Sequence, residues 1–204
     1  HIIGKLSGNS LSRYISIMEE TGDENQYLDA LAFLSRVLKE IYGKNSIILL
    51  DEYDVPLENA YFNGFYKQMT DFIRSLFESA LKTNPNLEFA VVTGCLRITK
   101  ESIFTGLNNL KMVSVLDISY SEYFGFTQQE VDLLLHSYNI SGRQDEVKSW
   151  YDGYLFGKTE VYNPWSILMY VDNLRQDSNS MPKPYWANTS SNGIVRELVE
   201  RSDN

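Results

Sequence analysis

Cysteine occurs once in this chain of 204 residues, at Cys95. An internal disulfide is therefore excluded, and a reducing cytoplasm is the expected compartment. Histidine occurs only as His1 and His136, which leaves too few ligands for a Cys/His metal site. Basic side chains are scarce relative to acids: 18 Lys and Arg face 27 Asp and Glu, a net charge of −9. Broad, sequence-independent binding to nucleic acid needs a basic face, so direct nucleic-acid binding is not expected, although a local basic groove stays open. No apolar run approaches the ~20 residues of a membrane span, so no membrane partner is expected. Ile2-Ile3 is followed at once by Gly4, Lys5 and Ser7 with one Leu between, which is not a signal peptide.

A phosphate loop of the form Gly-x-x-x-x-Gly-Lys-[Ser/Thr] is also missing. Gly153-Tyr-Leu-Phe-Gly157-Lys158-Thr159 comes close but is one residue short. No buried strand precedes it, and Glu160-Val161-Tyr162 follows where a helix should start. It reads as a hairpin turn between Tyr154-Leu-Phe and Glu160-Val-Tyr162. Gly4-Lys5-Leu6-Ser7 fails as well.

What is present begins with Ser46-Ile-Ile-Leu-Leu-Asp51-Glu52-Tyr53-Asp54. A short apolar run bounded by polar residues suits a strand buried on both faces of a parallel sheet. Acids at its exit lie at the carboxyl end, where open α/β sheets bind ligands. In a nucleoside-triphosphatase the first such acid helps hold Mg²⁺ and the second orients the attacking water. Asp51 and Glu52 therefore read as Walker B acids. The plainer alternative is an acid that only caps the next turn or helix. That role is assigned to Asp54, because Val55-Pro56 cannot continue a strand interior.

The chain is long enough for one large domain, or one domain and a small one. Residues 25–42 carry Leu28, Leu31, Leu34, Leu38 and Ile41 at spacings of three and four, which predicts an amphipathic helix ending at Gly43. Residues 60–82 predict a second long helix. Asn84-Pro85-Asn86 is a turn, 87–92 a second buried strand ending at Thr93-Gly94, and 113–118 a third strand. The strands containing Ile48 and Val91 are expected to be adjacent and parallel, with Asp51 and Thr93 at one edge. This order predicts an α/β core over 1–119. Residues 1–22 read as irregular or partly helical.

From about residue 120 the chain predicts a mainly helical lobe, 120–204. Thr127-Gln-Gln-Glu130 and Ser141-Gly-Arg-Gln144 both have the form of a capping box. Asn163-Pro164 places a cap before a proline at the first helical position. Trp165, Leu168, Met169 and Leu174 are expected to face inward on the strip from Trp150 to Phe156, read as core packing. Asp177 to Pro184 is a polar loop.

Thr93-Gly94-Cys95-Leu96-Arg97 ends the second strand. If the strands are neighbours, Thr93 and Arg97 can serve the γ-phosphate side of a nucleotide; otherwise they are a strand-end Thr and a surface Arg. Glu146-Val-Lys148 has the acid-x-Lys form of metal-dependent nucleases but falls in a predicted helix, so a solvated face is preferred. The sequons at Asn139 and Asn188 are frequent by chance.

Six segments in order resemble one family: Ile48-Leu-Leu-Asp-Glu-Tyr-Asp-Val-Pro-Leu57, Thr93 through Leu110, Tyr123-Phe-Gly-Phe-Thr127, Trp150-Tyr-Asp-Gly-Tyr154, Tyr162-Asn-Pro-Trp-Ser166 and Tyr185-Trp-Ala-Asn-Thr-Ser190. Together they are similar to the bacterial AAA-ATPase-like family, over residues 30–200. Members typically join a P-loop ATPase-like region to a PD-(D/E)XK nuclease-like domain. The resemblance implies Asp51 and Glu52 as Walker B acids and Thr93 to Arg97 as the segment after the sensor strand. It implies ATP and Mg²⁺ as cofactors of the intact protein, with Asp51 holding the metal, Glu52, Thr93 and Arg97 as the catalytic residues, and Asp51, Thr93 and Arg97 binding the nucleotide. The phosphate loop would lie before the Walker B strand and the nuclease-like domain after residue 204. The expectation is thus a middle fragment: a P-loop NTPase-like core lacking its first strand and phosphate loop, followed by a helical or winged-helix-like lobe. ATP hydrolysis is expected of the intact protein and not of these residues alone. The rival reading is a non-hydrolysing nucleotide-sensing or protein-interaction module.

Overall fold

The computed structural model describes residues 2–95, 103–104, 106–107 and 110–187. It is an α/β chain with a small parallel sheet and many helices, and it divides into two compact units, His1–Leu110 and Lys111–Asn204. Among the described residues no helix is long and apolar enough to cross a membrane.

In the first unit, a 3₁₀ turn at Ile3–Lys5 leads into helices α1 (Gly8–Met18), α2 (Glu24–Leu28) and α3 (Ala30–Tyr42). The single helix expected over 25–42 is broken at Asp29, whose backbone leaves the helical region and whose carboxylate pairs with Arg13 of α1. Asp23 caps α2 by accepting from the Gln26 amide at 3.0 Å. Gly43 ends α3 with φ 70°, a left-handed cap that glycine adopts without a steric penalty.

Strand β1 (Ser46–Leu50) follows, then α4 (Val55–Phe62) and α5 (Tyr66–Phe77). The helix expected over 60–82 is instead two helices, because Gly64 turns the chain at φ 79°. Helix α4 starts earlier than expected, with Pro56 in its first turn, where a missing N–H goes unnoticed. Helix α5 continues into a π-helical turn, Glu78–Lys82, before strand β2 (Leu87–Val92).

Strands β1 and β2 pair in parallel, with Ile47 opposite Phe89, Ile48 opposite Ala90 and Leu50 opposite Val92. The expectation of burial on both faces is corrected by the side chains. Ile48 packs with Leu57, Ile73, Phe77, Leu81, Ile103 and Leu107, and Leu50, Ala90 and Val92 line the same core. The alternate residues Ile47 and Leu49 are 62% and 71% exposed, and Phe89 and Val91 are exposed beside them. Side chains alternate across a strand, so helices packed on one face leave every second residue uncovered.

The second unit opens without the strand expected at 113–118. Ser114 and Asp117 close a turn there. The Asp117 carboxylate accepts from the Ser114 amide at 2.7 Å, and the Ser114 carbonyl accepts from the Asp117 amide at 3.0 Å. These local bonds take up backbone groups that a ladder would need.

Helix α6 (Gln128–Ser137) begins with the expected capping box: Thr127 accepts from the Glu130 amide, and Glu130 accepts from the Thr127 amide at 2.8 Å. Helix α7 (Gln144–Tyr151) does not use the second box. Its cap position is Arg143, Gly142 lies left-handed at φ 73° before it, and Ser141 sits outside the helix.

Strands β3 (Asp152–Phe156) and β4 (Thr159–Tyr162) form the expected antiparallel hairpin through Gly157-Lys158. Gly157 has φ 56°, and a Cβ there would lie 2.5 Å from the Asp117 carbonyl oxygen, so only glycine fits. Helix α8 (Pro164–Gln176) starts at the Asn163 cap, whose side chain accepts from the Ser166 amide at 3.0 Å.

The core joins Val131 and Leu135 of α6, Val147 and Tyr151 of α7, Tyr162 of β4 and the Ile167, Tyr170, Val171 and Leu174 stripe of α8. The expected inward role of Trp165 and Leu168 is corrected: they are 49% and 46% exposed, and Met169 is half-buried. Starting at Pro164, the 100° step turns 167, 170, 171 and 174 inward together and leaves 165 and 168 on the other side. Leu174 is buried as expected. On the strip from Trp150 to Phe156, Tyr151 is buried, but Trp150, Tyr154 and Leu155 are exposed.

Candidate functional site

The carboxyl ends of β1 and β2 bring together residues far apart in sequence. The ladder extends one step past the strands, with the Thr93 amide donating to the Leu50 carbonyl at 2.8 Å and the Tyr53 amide donating to the Thr93 carbonyl at 3.0 Å. This fixes Thr93 beside Asp51, and the Thr93 hydroxyl donates to Asp51 Oδ1. The same oxygen accepts from the Glu52 amide at 3.1 Å. Asp51 and Thr93 thus share one edge of the parallel pair, as expected from their strand ends.

Glu52 has φ 53°, a left-handed conformation that is costly for a residue carrying a Cβ. The bond from the Tyr53 amide to Thr93 and a bond from the Val55 amide to the Glu52 carbonyl, 3.1 Å, hold the turn on either side. Strain of this kind persists only where its surroundings enforce it, and it concentrates at functional positions.

Behind the acids, Tyr53 packs edge-on to Phe104 and Phe77 with ring centroids 5.2 and 6.3 Å away. Gly94 lies against that ring: a Cβ there would stand 2.5 Å from Tyr53 Cε1 and 2.8 Å from Asp54 Oδ1. Asp54 is buried at the cap position of α4, where it was expected, although its side chain makes no capping bond to the helix. Tyr53, Asp54 and Gly94 were not picked out as site residues by the sequence. The signal available was the Asp-Glu-x-Asp spacing, with a glycine directly after Thr93.

The local field is negative. The Cys95 thiol is pushed above its ordinary value, first by desolvation and then by the carboxylates of Asp54, Glu52, Asp51 and Glu58. Such a field, with the hard oxygen donors of Asp51 and Thr93, suits a small divalent cation. Mg²⁺ characteristically takes one or two carboxylates and completes its shell with water and phosphate oxygens. No set of three or more His, Cys, Asp or Glu side chains is gathered around a metal position among the described residues. Arg97, the expected cation of the site, lies outside the described residues.

The competing motifs resolve as structural. Gly157-Lys158-Thr159 is the hairpin turn and the start of β4. Glu146 lies on helix α7, where it accepts from the Tyr170 hydroxyl and pairs with Arg143 at 2.7 Å. The Tyr170 bond, followed by Arg143, holds the Glu146 carboxyl below its ordinary value.

Comparison with known proteins adds a family. Residues 2–104 match the AAA-ATPase-like family, described as predicted AAA-ATPases. The chain is 30% identical over 158 residues to an Azotobacter chroococcum mcd 1 protein named "Uncharacterized protein in vnfD 5'region", an alignment that covers 77% of this chain and 29% of that protein. No solved structure matches.

Proposed function

The chain belongs to the AAA-ATPase-like family of predicted AAA-ATPases, and from that premise we propose that Asp51, Glu52 and Thr93 form part of an ATP-hydrolysing centre in the intact protein. The observation that carries this reading is the hydrogen bond from Thr93 to Asp51, which joins the carboxyl ends of two adjacent parallel strands. Ligands bind at that end of open α/β sheets. Bound Mg²⁺ would neutralise the charge that develops on the phosphates. In this reading Asp51 would hold the metal, and the Thr93 hydrogen bond would orient its carboxylate. Glu52, whose backbone is left-handed at the strand exit, in the same reading polarises the attacking water. Thr93 and Arg97 are assigned to the γ-phosphate side, as the family resemblance implies.

The finer fold reading belongs to the same proposal: a P-loop NTPase-like core in the first unit and a helical, winged-helix-like lobe in the second. So do a cytoplasmic setting and a fused nuclease-like domain. The matched relative is more than three times as long as the aligned segment, so the activity is proposed for the whole protein. Residues 1–204 contain no phosphate-loop sequence, and by themselves they are expected not to turn over ATP.

The test is phosphate release by the full-length protein. Glu52→Gln should lower the rate by at least about 10²-fold, the lower end of what a positioned base contributes. Equal release by both proteins would remove Glu52 from the chemistry. No release by either would favour the second reading, a non-hydrolysing nucleotide-sensing or protein-interaction module. That reading also has an observation on its side, the exposed apolar row Ile47, Leu49, Phe89 and Val91.

A further inference from the structure

The second unit carries an open cleft of about 450 Å³ that the ATPase reading does not use. Trp150, Tyr154 and Trp186 line it, and each is substantially exposed, at 51%, 43% and 46%. Three large rings around one open space, each about half exposed, leave aromatic surface that a ligand can cover.

The cleft is held from beneath. Tyr151 is buried; its hydroxyl donates to the Lys183 carbonyl at 3.1 Å and accepts from the Lys183 amide at 3.0 Å. The Asn173 amide donates to the Tyr185 hydroxyl at 2.5 Å, next to Trp186. These bonds tie the segment after α8 back onto α7 and α8. Trp186 is thereby carried to the same cleft as Trp150 and Tyr154.

The charge of the cleft selects its ligand. Among the described lining residues, Asp152 carries the only formal charge, and no Lys or Arg is present. Aromatic faces present the negative side of a quadrupole, and a carboxylate adds to it. Phosphate-bearing ligands meet repulsion here, while a neutral apolar ligand leaves the carboxylate unused. We propose that this cleft binds an organic cation, an alkylated ammonium or a guanidinium, against Trp150, Tyr154 and Trp186, with Asp152 as its counter-charge.

The chain's tryptophans supply the readout. Of the three, Trp150 and Trp186 line the cleft and Trp165 does not. In residues 1–204 carrying Trp165→Phe, tryptophan fluorescence therefore reports the cleft alone. Titration with tetramethylammonium and, separately, with N-acetyl-arginine amide should give a saturable change with at least one of them, and which one responds tells an alkylammonium from a guanidinium. Neopentyl alcohol, a neutral molecule of similar shape to tetramethylammonium, should bind at least about tenfold more weakly, since the cation–π and ionic contributions are lost. Asp152→Asn keeps the side chain's size, and it should weaken cation binding without changing the circular dichroism. Trp150→Phe should weaken it less than Trp150→Ala. No saturable change with either cation, neutral and cationic probes binding alike, or affinity unmoved by both Asp152→Asn and Trp150→Ala would overturn the proposal.

Discussion

The two strand pairs of this protein are built in opposite ways. Strands β3 and β4 are joined by Gly157-Lys158, and their register follows from a local turn that only glycine can make. Strands β1 and β2 are parallel and have α4 and α5 between them, so their register depends on helices packing against one face. A hairpin brings together residues that are already close in sequence. A parallel pair brings two distant strand ends to one edge, and here those ends are Asp51 and Thr93. The pair with the greater cost in chain closure is the one able to assemble chemistry from separate motifs.

The largest expected effects test which residues each pair rests on. Ile48→Ala in β1 and Ile167→Ala in the helix that follows the hairpin each remove a buried side chain and should cost about 2–5 kcal/mol, read as denaturation midpoints. If Ile48→Ala cost no more than a surface change, the one-sided core of the parallel pair would be wrong. Caps come next: Thr127→Ala and Asn163→Ala should each cost about 1 kcal/mol, because each removes a bond to an otherwise unpaired helix amide.

A smaller, pH-dependent effect belongs to the second unit alone. Glu146 is held below its ordinary value by Tyr170 and Arg143, so its contribution is present above its unfolded value, near 4.5, and is lost as pH falls through the folded value. The stability difference between wild type and Glu146→Gln should therefore shrink when the pH is lowered below about 4.5 in thermal melts. A difference that grew on acidification would refute the assignment. Smaller still is Trp165→Ala on the outer face of α8, whose half-exposed ring should cost less than the core truncation Ile167→Ala. Smallest is Leu49→Ser on the open sheet face, within about 0.5 kcal/mol because that side chain is largely exposed.

What the sequence disclosed follows the same division between local and distant determinants. The Thr127 capping box, the Asn163-Pro164 start and the Gly157 turn are set by a few adjacent residues, and all were legible. Breaks inside helices were not. Asp29, which ends α2, pairs with Arg13 of another helix, and the spacing of apolar residues does not record that partner. The strand expected at 113–118 had the right composition, but the Ser114–Asp117 side chains bond their own backbone first.

The candidate site was legible in part. Four apolar residues running into Asp51 and Glu52 pointed to a strand end, and Thr93 to its neighbour. The left-handed turn at Glu52, the burial of Asp54 and the contact that keeps Gly94 a glycine depend on β2 lying beside β1. Burial was the weakest inference. Trp165 and Leu168 are apolar but outward, because the phase of α8 is fixed at its cap rather than by hydrophobicity alone.

The most direct test of the assigned roles is nucleotide binding by the full-length protein, with and without Mg²⁺, in Asp51→Asn and Glu52→Gln. If Asp51 holds the metal and Glu52 acts on water, Glu52→Gln should bind ATP with a Mg²⁺ dependence like that of the wild type while losing turnover. Asp51→Asn should lose most of the Mg²⁺ dependence itself. Unchanged Mg²⁺ dependence in Asp51→Asn, or the loss of Mg²⁺-supported binding in Glu52→Gln, would contradict the assignment.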